Sequence, residues 1–544
     1  MATVKKETRP EKVKRERDAL DCFDDIIRYA REGFQSIDPD DLDVRLRWYG
    51  LYTQRPQEEG YFMLRVKIPN GTLTNKQLET LGNISIRYAQ NTGDITTRQG
   101  IQFHHVRIED VPEIFAELES VGLTTSGACG DITRNVTGCP LAGISADEII
   151  EAEQHIESIH QYFLNNREFS NLPRKFKITV TGCPHYCSPH EINDVSLLAL
   201  KRPDGRTAFD LWVGGGLGAK ERFADRLGVH VFPYEVIEVA HHICAIFRDE
   251  GNRASRSLAR LKFLLADWGA KKFLAELENR LGYSLAKGDA SKIPINKGNA
   301  HIGIHPQKQD GLFYVGTVTE RGKLNGTEML EVARFAKLHE SGRIRLTTTQ
   351  NLFVLDVPES ERFALAEGLE KIGLQVNSSV FRTGTIACTG KRFCKLALTE
   401  TKLRASDLIE HLETTLPDFK TPFRISVTGC PNSCAHYQVC DIGFVGDFIN
   451  TPEGKREAFR VYLGGHLGDG YRFGRELDHK VPAEEVKFYV ERLARNYLSE
   501  RTNEHETFQS FLARHSVKEL EAIHVRQTAS LSHTPKHAKV GATD

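Results

Sequence analysis

The chain has 544 residues, 40% of them apolar, and a formal net charge of −1. That length divides into two to four domains with cores of their own, and the near-zero charge supplies no global field for nucleic acid or a membrane, though a local docking patch is compatible with it. No apolar run approaches the ~20 residues that span a bilayer, and the N-terminal MATVKKETRPEKVKRERDALD lacks the apolar stretch of a signal peptide, so a cytoplasmic protein is expected.

Residues 1–45 read as a charged extension lying on the surface. Residues 46–122 read as a first half-domain: the apolar stretch FMLRVKI, a helix, a strand containing TTRQ, and an amphipathic helix in VPEIFAELESVGL. Residues 123–285 follow with a cysteine-containing loop, a long helix in ADEIIEAEQHIESIHQYF and the strand of KFKITVTGCPHYC. A further strand, the turn VGGGLG and a helix opening at FPYEVIEVAHHICAIF complete that block. A polar linker at 286–299, around GDASKIPINKGNAH, leads to the same grammar again. The second half-domain is 300–376 (LFYVGTV, TTTQ, ERFALAEGLEKIGL). A second block at 377–520 carries ASDLIEHLETTL, PFRISVTGCPNSC, LGGHLG and VPAEEVKFYVERLARNYL. Residues 521–544 have the composition of a disordered tail.

The repeat is a duplication and not a solenoid. Thr96 of TTRQ and Thr347 of TTTQ are 251 residues apart, Cys183 and Cys430 are 247 apart, and the two glycine-rich turns, from Val213 and Leu463, are 250 apart. VGGGLG is too short and misplaced for a dinucleotide fingerprint, and its recurrence marks a fold-building turn.

In the first quoted strand Phe176, Ile178 and Val180 share one face, while Lys175, Lys177 and Thr179 share the other. The two ammonium groups then lie about 7 Å apart along the strand. A solvated edge with gatekeeper lysines is the plain reading; an anion or proton-donor site is the functional one. The second copy has Arg424 and Ser426 on that face, so the fold itself does not require the lysine pair.

Eleven cysteines in a chain this long argue for metal and against a disulfide framework. Cys388 and Cys394 form Cys-x5-Cys, and Cys430 and Cys434 form Cys-x3-Cys. Four thiolates from two loops suit a [4Fe–4S] cluster, and the x5 spacing fits a zinc knuckle poorly. Cys22 and Cys244 stand alone and read as small buried hydrophobes.

ACTGKRFC with TGCPNSC, preceded by duplicated TT-x-Q half-domains, resembles the ferredoxin-dependent sulfite and nitrite reductases from about Trp48 to Leu520. The resemblance implies an internally duplicated α+β fold. It has two ferredoxin-like half-domains and two siroheme/iron–sulfur α/β domains related by pseudo-twofold symmetry. It implies that Cys388, Cys394, Cys430 and Cys434 hold a [4Fe–4S] cluster, Cys434 also bridging to siroheme. It places Arg65, Arg134, Lys175 and Lys177 around the substrate. Arg98, Arg253, Arg256, Arg260 and Lys262 would contact the siroheme carboxylates, although a solvated helix face would also account for the last four, with Arg256 and Arg260 one turn apart.

The implied reaction is six-electron reduction of sulfite to sulfide, with nitrite to ammonia as the alternative, and with ferredoxin, or else a flavoprotein subunit, as donor. Sulfite is favoured because nitrite reductases of this family tend to carry asparagine where Lys177 stands, although NVTGCPLAGI and ACTG also resemble nitrite reductase segments. A zinc-stabilised anion-binding protein and a siroheme storage protein are the non-catalytic alternatives. The first copy keeps Cys183 and Cys187, with Cys129 and Cys139 upstream. These read as a remnant of the duplication, as ligands of a second cluster, or, for Cys129 beside Arg134, as a reactive thiol. Whether Tyr52 meets Cys129, and the oligomeric state, stay open.

Overall fold

The computed structural model describes residues 7–185, 187–288 and 301–522. Four sheets carry the chain, two per copy. In the first half-domain the strands run in the order Leu51–Thr53, Phe62–Val66, Ile101–Val106, Asp94–Ile95. In the second they run Gly303–Pro306, Leu312–Thr317, Leu352–Pro358, Arg343–Leu346. This second sheet is completed by Thr72–Leu73, a strand lent by the first copy.

The exchange is reciprocal. Thr72 pairs with Arg345, and Lys323 pairs with Asp94; each pair is the other shifted by 251 residues. The side chain of Gln99 donates to Leu346 O at 3.0 Å, and that of Gln350 to Ile95 O at 3.1 Å, again 251 apart. Helices Asn75–Tyr88 and Gly326–Leu338 both open with a capping box, Thr74 with Gln77 and Asn325 with Glu328. They cross where a Cβ on Gly82 would lie 2.9 Å from Gly326 O, and one on Gly326 would lie 2.6 Å from Gly82 O, so the close approach requires glycine in both. Leu78, Leu81 and Ile84 share one buried core with Met329, Val332 and Ala336. The two half-domains are therefore halves of one hydrophobic unit, related as in an isologous dimer.

The larger sheets repeat one topology. The first runs Ala286–Lys287, Asp225–Val231, Thr207–Val213, Val195–Lys201, Ile178–Thr181, Thr137–Gly138. The second runs Arg475–Pro482, Gly454–Leu463, Ile442–Thr451, Ile425–Thr428, Thr385–Ala387. In each, the strand before the Gly-Cys-Pro turn is paired in parallel on both sides. The glycine-rich turns meet across the pseudo-dyad: Phe223 and Phe473, 250 residues apart, stack with centroids 3.8 Å apart and planes at 4°. Gln438 reaches Gly218 O at 2.7 Å while Gly468 N reaches Glu191 at 2.6 Å. The α+β fold with pseudo-twofold symmetry is thus present.

Several expectations are corrected. The N-terminal extension is not a surface wrap. Its helix Arg9–Glu16 buries Val13 and Lys14, and Ile26 and Tyr29 enter the half-domain core. The charge of this segment is spent on fixed ion pairs, which composition does not reveal. TT-x-Q is a turn between strands and not part of a strand, with Gln99 and Gln350 at positive φ. The helix read in ADEIIEAEQHIESIHQYF begins only at Ala152, because Ile149 and Ile150 spend their N–H groups on Gly182 O. Of the expected linker, Ala286 and Lys287 pair with Asp225–Val231, and 289–300 lie outside the described residues. Of the expected disordered tail, Glu521 and Ala522 are helical and the remainder lies outside.

Candidate active site between the copies

The strand of the first Gly-Cys-Pro motif is shorter than expected, Ile178–Thr181, and lies inside its sheet with both faces buried. Thr179 donates to Thr137 O at 3.1 Å. Lys175 and Lys177 therefore stand at the strand's entrance and not on a solvated edge. The alternation survives there: Phe176 is fully buried while both lysines are half-buried. Asp194 accepts from Lys177 N at 2.9 Å, and its counterpart Asp441 accepts from Arg424 N at 2.7 Å, so the frame is shared and the side chains differ.

The cations converge. Burial, then Arg260, Arg174 and Arg134, push the Lys175 pKa well below its ordinary value. Burial, then Lys175 and Arg98, do the same to Lys177. Arg98 is pushed down to about 9 by burial and by Arg134. It donates to Asn193 Oδ1 at 2.9 Å and to the carbonyl of Asn135. Arg134 is aimed by backbone alone, donating to Gly130 O at 2.8 and 2.9 Å and to Ala128 O at 3.3 Å. Arg65 donates to Gln102 Oε1 at 3.0 Å and Cys129 Sγ at 3.2 Å. Burial opposes its charge, yet the Cys129 thiol, the Tyr52 phenol and the Cys434 thiol hold its pKa above the ordinary value. Cys129 thus has a partner in Arg65 that the sequence reading did not name.

The sequence reading missed Lys67, which is buried beside Gly127 and pushed down to about 7 by burial, Arg134 and Arg98. The signal was present: Arg65-x-Lys67 has the same two-residue period as Lys175-x-Lys177.

The basic segment at 253–262 behaves otherwise. Arg253 is bound to Glu11 at 2.8 Å, Arg256 grips both oxygens of Asp131 at 2.5 and 2.9 Å, and Arg260 pairs with Asp194 at 2.8 Å. Lys262 donates to Gly216 O at 3.2 Å and Leu217 O at 3.1 Å. The shared helix face does not exist, since Arg256 lies in a single 3-10 turn and Arg260 caps the helix that starts at Leu261. Three of these four are already neutralised; only Arg260 also acts on the lysines.

In the second copy, Cys388 and Cys394 sit on one loop and Cys430 and Cys434 on another, after the strands Thr385–Ala387 and Ile425–Thr428. Backbone N–H groups point at the sulfurs: Gly429 N at 3.2 Å from Cys388 Sγ, with Asn432 on Cys430 and Leu396 on Cys394. Burial raises Cys388 to about 12 and Cys430 to about 11, so binding of a metal cluster must displace their protons. The four sulfurs do not pack against one another as a single-ion site would require, while Cys434 is exposed toward the cation group. Both Arg65 and Lys175 feel its thiol, and its carbonyl accepts from Thr97 Oγ1 of TTRQ at 3.1 Å.

Two fits follow. Spread thiols with N–H donors suit a [4Fe–4S] cluster. Six cations, Arg65, Lys67, Arg98, Arg134, Lys175 and Lys177, have no ion pair among the described residues. Their mutual repulsion calls for a polyanion such as a carboxylate-rich tetrapyrrole together with an oxyanion.

A cleft of about 560 Å³ opens on the cluster side, beside Cys394, and is lined by Arg55, Pro56, Gln57, Glu58, Arg392 and Lys395. It lies apart from the cations just described. No helix among the described residues is long and apolar enough to cross a membrane.

The family description "Nitrite and sulphite reductase 4Fe-4S domain" matches residues 129–285 and 381–526, and "Nitrite/Sulfite reductase ferredoxin-like half domain" matches 54–121 and 305–372. The chain is 42% identical over 533 residues to "Sulfite reductase [ferredoxin] 1" of Mycolicibacterium paratuberculosis, covering 94% of this chain and 95% of that protein. It is 37% identical over 495 residues to "Ferredoxin--nitrite reductase" of Leptolyngbya laminosa, covering 88% and 94%. The structure of the Mycobacterium tuberculosis NirA protein superposes with a TM-score of 0.90 at 40% identity, covering 94% of this chain and 97% of that one. By motif, fold and these matches, the chain belongs to the nitrite and sulphite reductase family.

Proposed function

We propose that the protein is a ferredoxin-dependent sulfite reductase, converting sulfite to sulfide with siroheme and a [4Fe–4S] cluster. The observation that carries this reading is the group of unpaired cations gathered beside Cys434. The sulfite-reducing relatives are also more similar to the chain than the nitrite-reducing one. Cytoplasmic location accords with eleven cysteines, none of them in a disulfide among the described residues.

Cys388, Cys394, Cys430 and Cys434 would hold the cluster, and Cys434, the exposed one of the four, would be the thiolate nearest the siroheme. When bound, the cofactor pair would supply one-electron redox chemistry and an iron centre for the oxyanion. The chain's own residues do the rest. Arg134, immobilised by Gly130 and Ala128, and Arg65, by Gln102, present fixed positive charge to the oxyanion and need no reorganisation during reaction. Lys175 and Lys177 carry the protons. Each departing oxygen takes two as it leaves as water, and an ammonium with a depressed pKa releases its proton more readily than an ordinary lysine. Arg98, which has no ion pair among the described residues, would hold a siroheme carboxylate, and Arg260 would add its charge to that site while staying paired with Asp194. Arg253, Arg256 and Lys262 act behind them, fixing the loops on which these groups stand.

The test is Lys177→Asn. Sulfite turnover is expected to fall about tenfold more than nitrite turnover, equivalent to ~1.4 kcal/mol of discrimination, when both are measured with one reduced ferredoxin. Equal losses would remove the assignment to sulfite. A further expectation concerns the donor. Arg392 and Lys395 rim the cleft beside Cys394 and suit an acidic protein. Arg392→Glu with Lys395→Glu is expected to raise the KM for ferredoxin about tenfold and flatten its salt dependence. Rates with a small dye donor should not move; if they fall equally, docking lies elsewhere.

A further inference from the structure

The first copy's cysteines are not cluster-like. Cys139, Cys183 and Cys187 stand 249, 247 and 247 residues before Cys388, Cys430 and Cys434, so three of the four ligand positions recur. The fourth does not: the position 249 before Cys394 is Ser145. In the first copy the three sulfurs have closed on one another, all lying within 4.8 Å, with Cys139 Sγ and Cys183 Sγ 3.7 Å apart. A disulfide needs about 2.05 Å. A regular tetrahedron of thiolates at about 2.3 Å from a zinc ion has edges of about 3.8 Å.

The surroundings agree. Leu141 N–H donates to Cys139 Sγ at 3.4 Å, and His185 N–H to Cys183, the kind of outer contact that orients metal thiolates. His301 Nε2 lies 3.1 Å from Cys187 Sγ, and Cys187 packs against the apolar cluster that holds Leu141, Tyr314 and Phe353. His301 belongs to the second copy, immediately before the strand Gly303–Pro306.

We propose that Cys139, Cys183 and Cys187 bind one zinc ion, with His301, which lies against Cys187 and outside the group of mutually close sulfurs, drawn in as the fourth ligand, so that the ion fastens the first copy's larger domain to the second half-domain. The ion is structural: all four coordination positions are filled by protein, and no position is left for substrate. The site is independent of the proposed reaction. The Cys183-x3-Cys187 spacing lies within the range of zinc ligand pairs, and the imidazole completes the set in place of the missing fourth cysteine.

The experiment is zinc-edge X-ray absorption together with metal analysis of the holoprotein, prepared from zinc-replete cells without chelator. About one zinc per chain is expected beside the cluster iron, with three sulfurs at about 2.3 Å and one nitrogen at about 2.0 Å. Cys139→Ser with Cys187→Ser should drop zinc at least tenfold while cluster iron and siroheme absorbance stay at their original ratio. Should that variant not fold, the spectrum of the unaltered protein decides alone. Zinc below about a tenth per chain, a second complement of cluster iron, or a Cys139–Cys183 disulfide in the holoprotein would each overturn the proposal.

Discussion

Lys175→Met is expected to lower kcat for sulfite by about 10²–10³-fold while leaving the visible absorption of the holoprotein intact. Lys175 stands at the entrance to its strand, in reach of the charge of Arg134, Arg260 and the Cys434 thiol. Methionine matches its length and removes both the charge and the transferable proton. Lys175→Arg separates the two roles, because the guanidinium keeps the charge and does not give up its proton. Arginine is expected to recover substrate affinity and not the rate. The pH profile supplies a second readout. A base pushed below its ordinary pKa loses its proton earlier as pH rises, so activity falls on the alkaline side sooner than for an unperturbed lysine. That limb should shift in the variants, leaving the part that Lys177 contributes. Unchanged kcat in Lys175→Met would remove the lysine from proton delivery.

Asp131→Asn is expected to cost about 3–5 kcal/mol of stability, because it leaves buried cations without their anion. Asp131 is fully buried and meets Lys14 at 3.3 Å, Arg174 at 3.2 Å and both arms of Arg256. Burial alone would raise its pKa, and Lys14, Arg256 and Arg174 outweigh it, holding the carboxyl well below the usual range. The sign follows. The carboxylate's contribution is fully present above about pH 4 and is lost as pH falls toward the folded-state value. Denaturant midpoints at pH 7 and at about pH 2.5 should show the variant's deficit shrinking at the lower pH. A deficit under about 1 kcal/mol at pH 7 would show that Lys14 and Arg256 find other partners. Activity should also fall, since Arg174 adjoins Lys175.

Much of this arrangement was legible because it is local. The repeat, the two cysteine pairs and the Lys175-x-Lys177 alternation lie within short stretches, and the resemblance joined them to Arg65, Arg98 and Arg134. What was not legible is long-range. Nothing in TT-x-Q announces that Gln99 crosses to Leu346, or that Thr72–Leu73 leaves its own sheet for the other copy's. The opening charges looked solvated because composition does not tell a paired Lys14 from a free one. Nothing in the segment holding Arg253 and Arg256 shows that Glu11 and Asp131, 242 and 125 residues away, pair with them. Lys67 was overlooked although its spacing from Arg65 was visible, because no motif marked it.

The stacked Phe223 and Phe473 have a consequence for how such a protein changes over time. Two separate identical subunits meeting at that axis would register every substitution twice, once on each side. A lysine that helps one cleft would then be forced on its twin, where thiolates are needed. Joined end to end, the halves mutate singly, and opposite chemistries grow on matching frames without either being diluted by its mirror image.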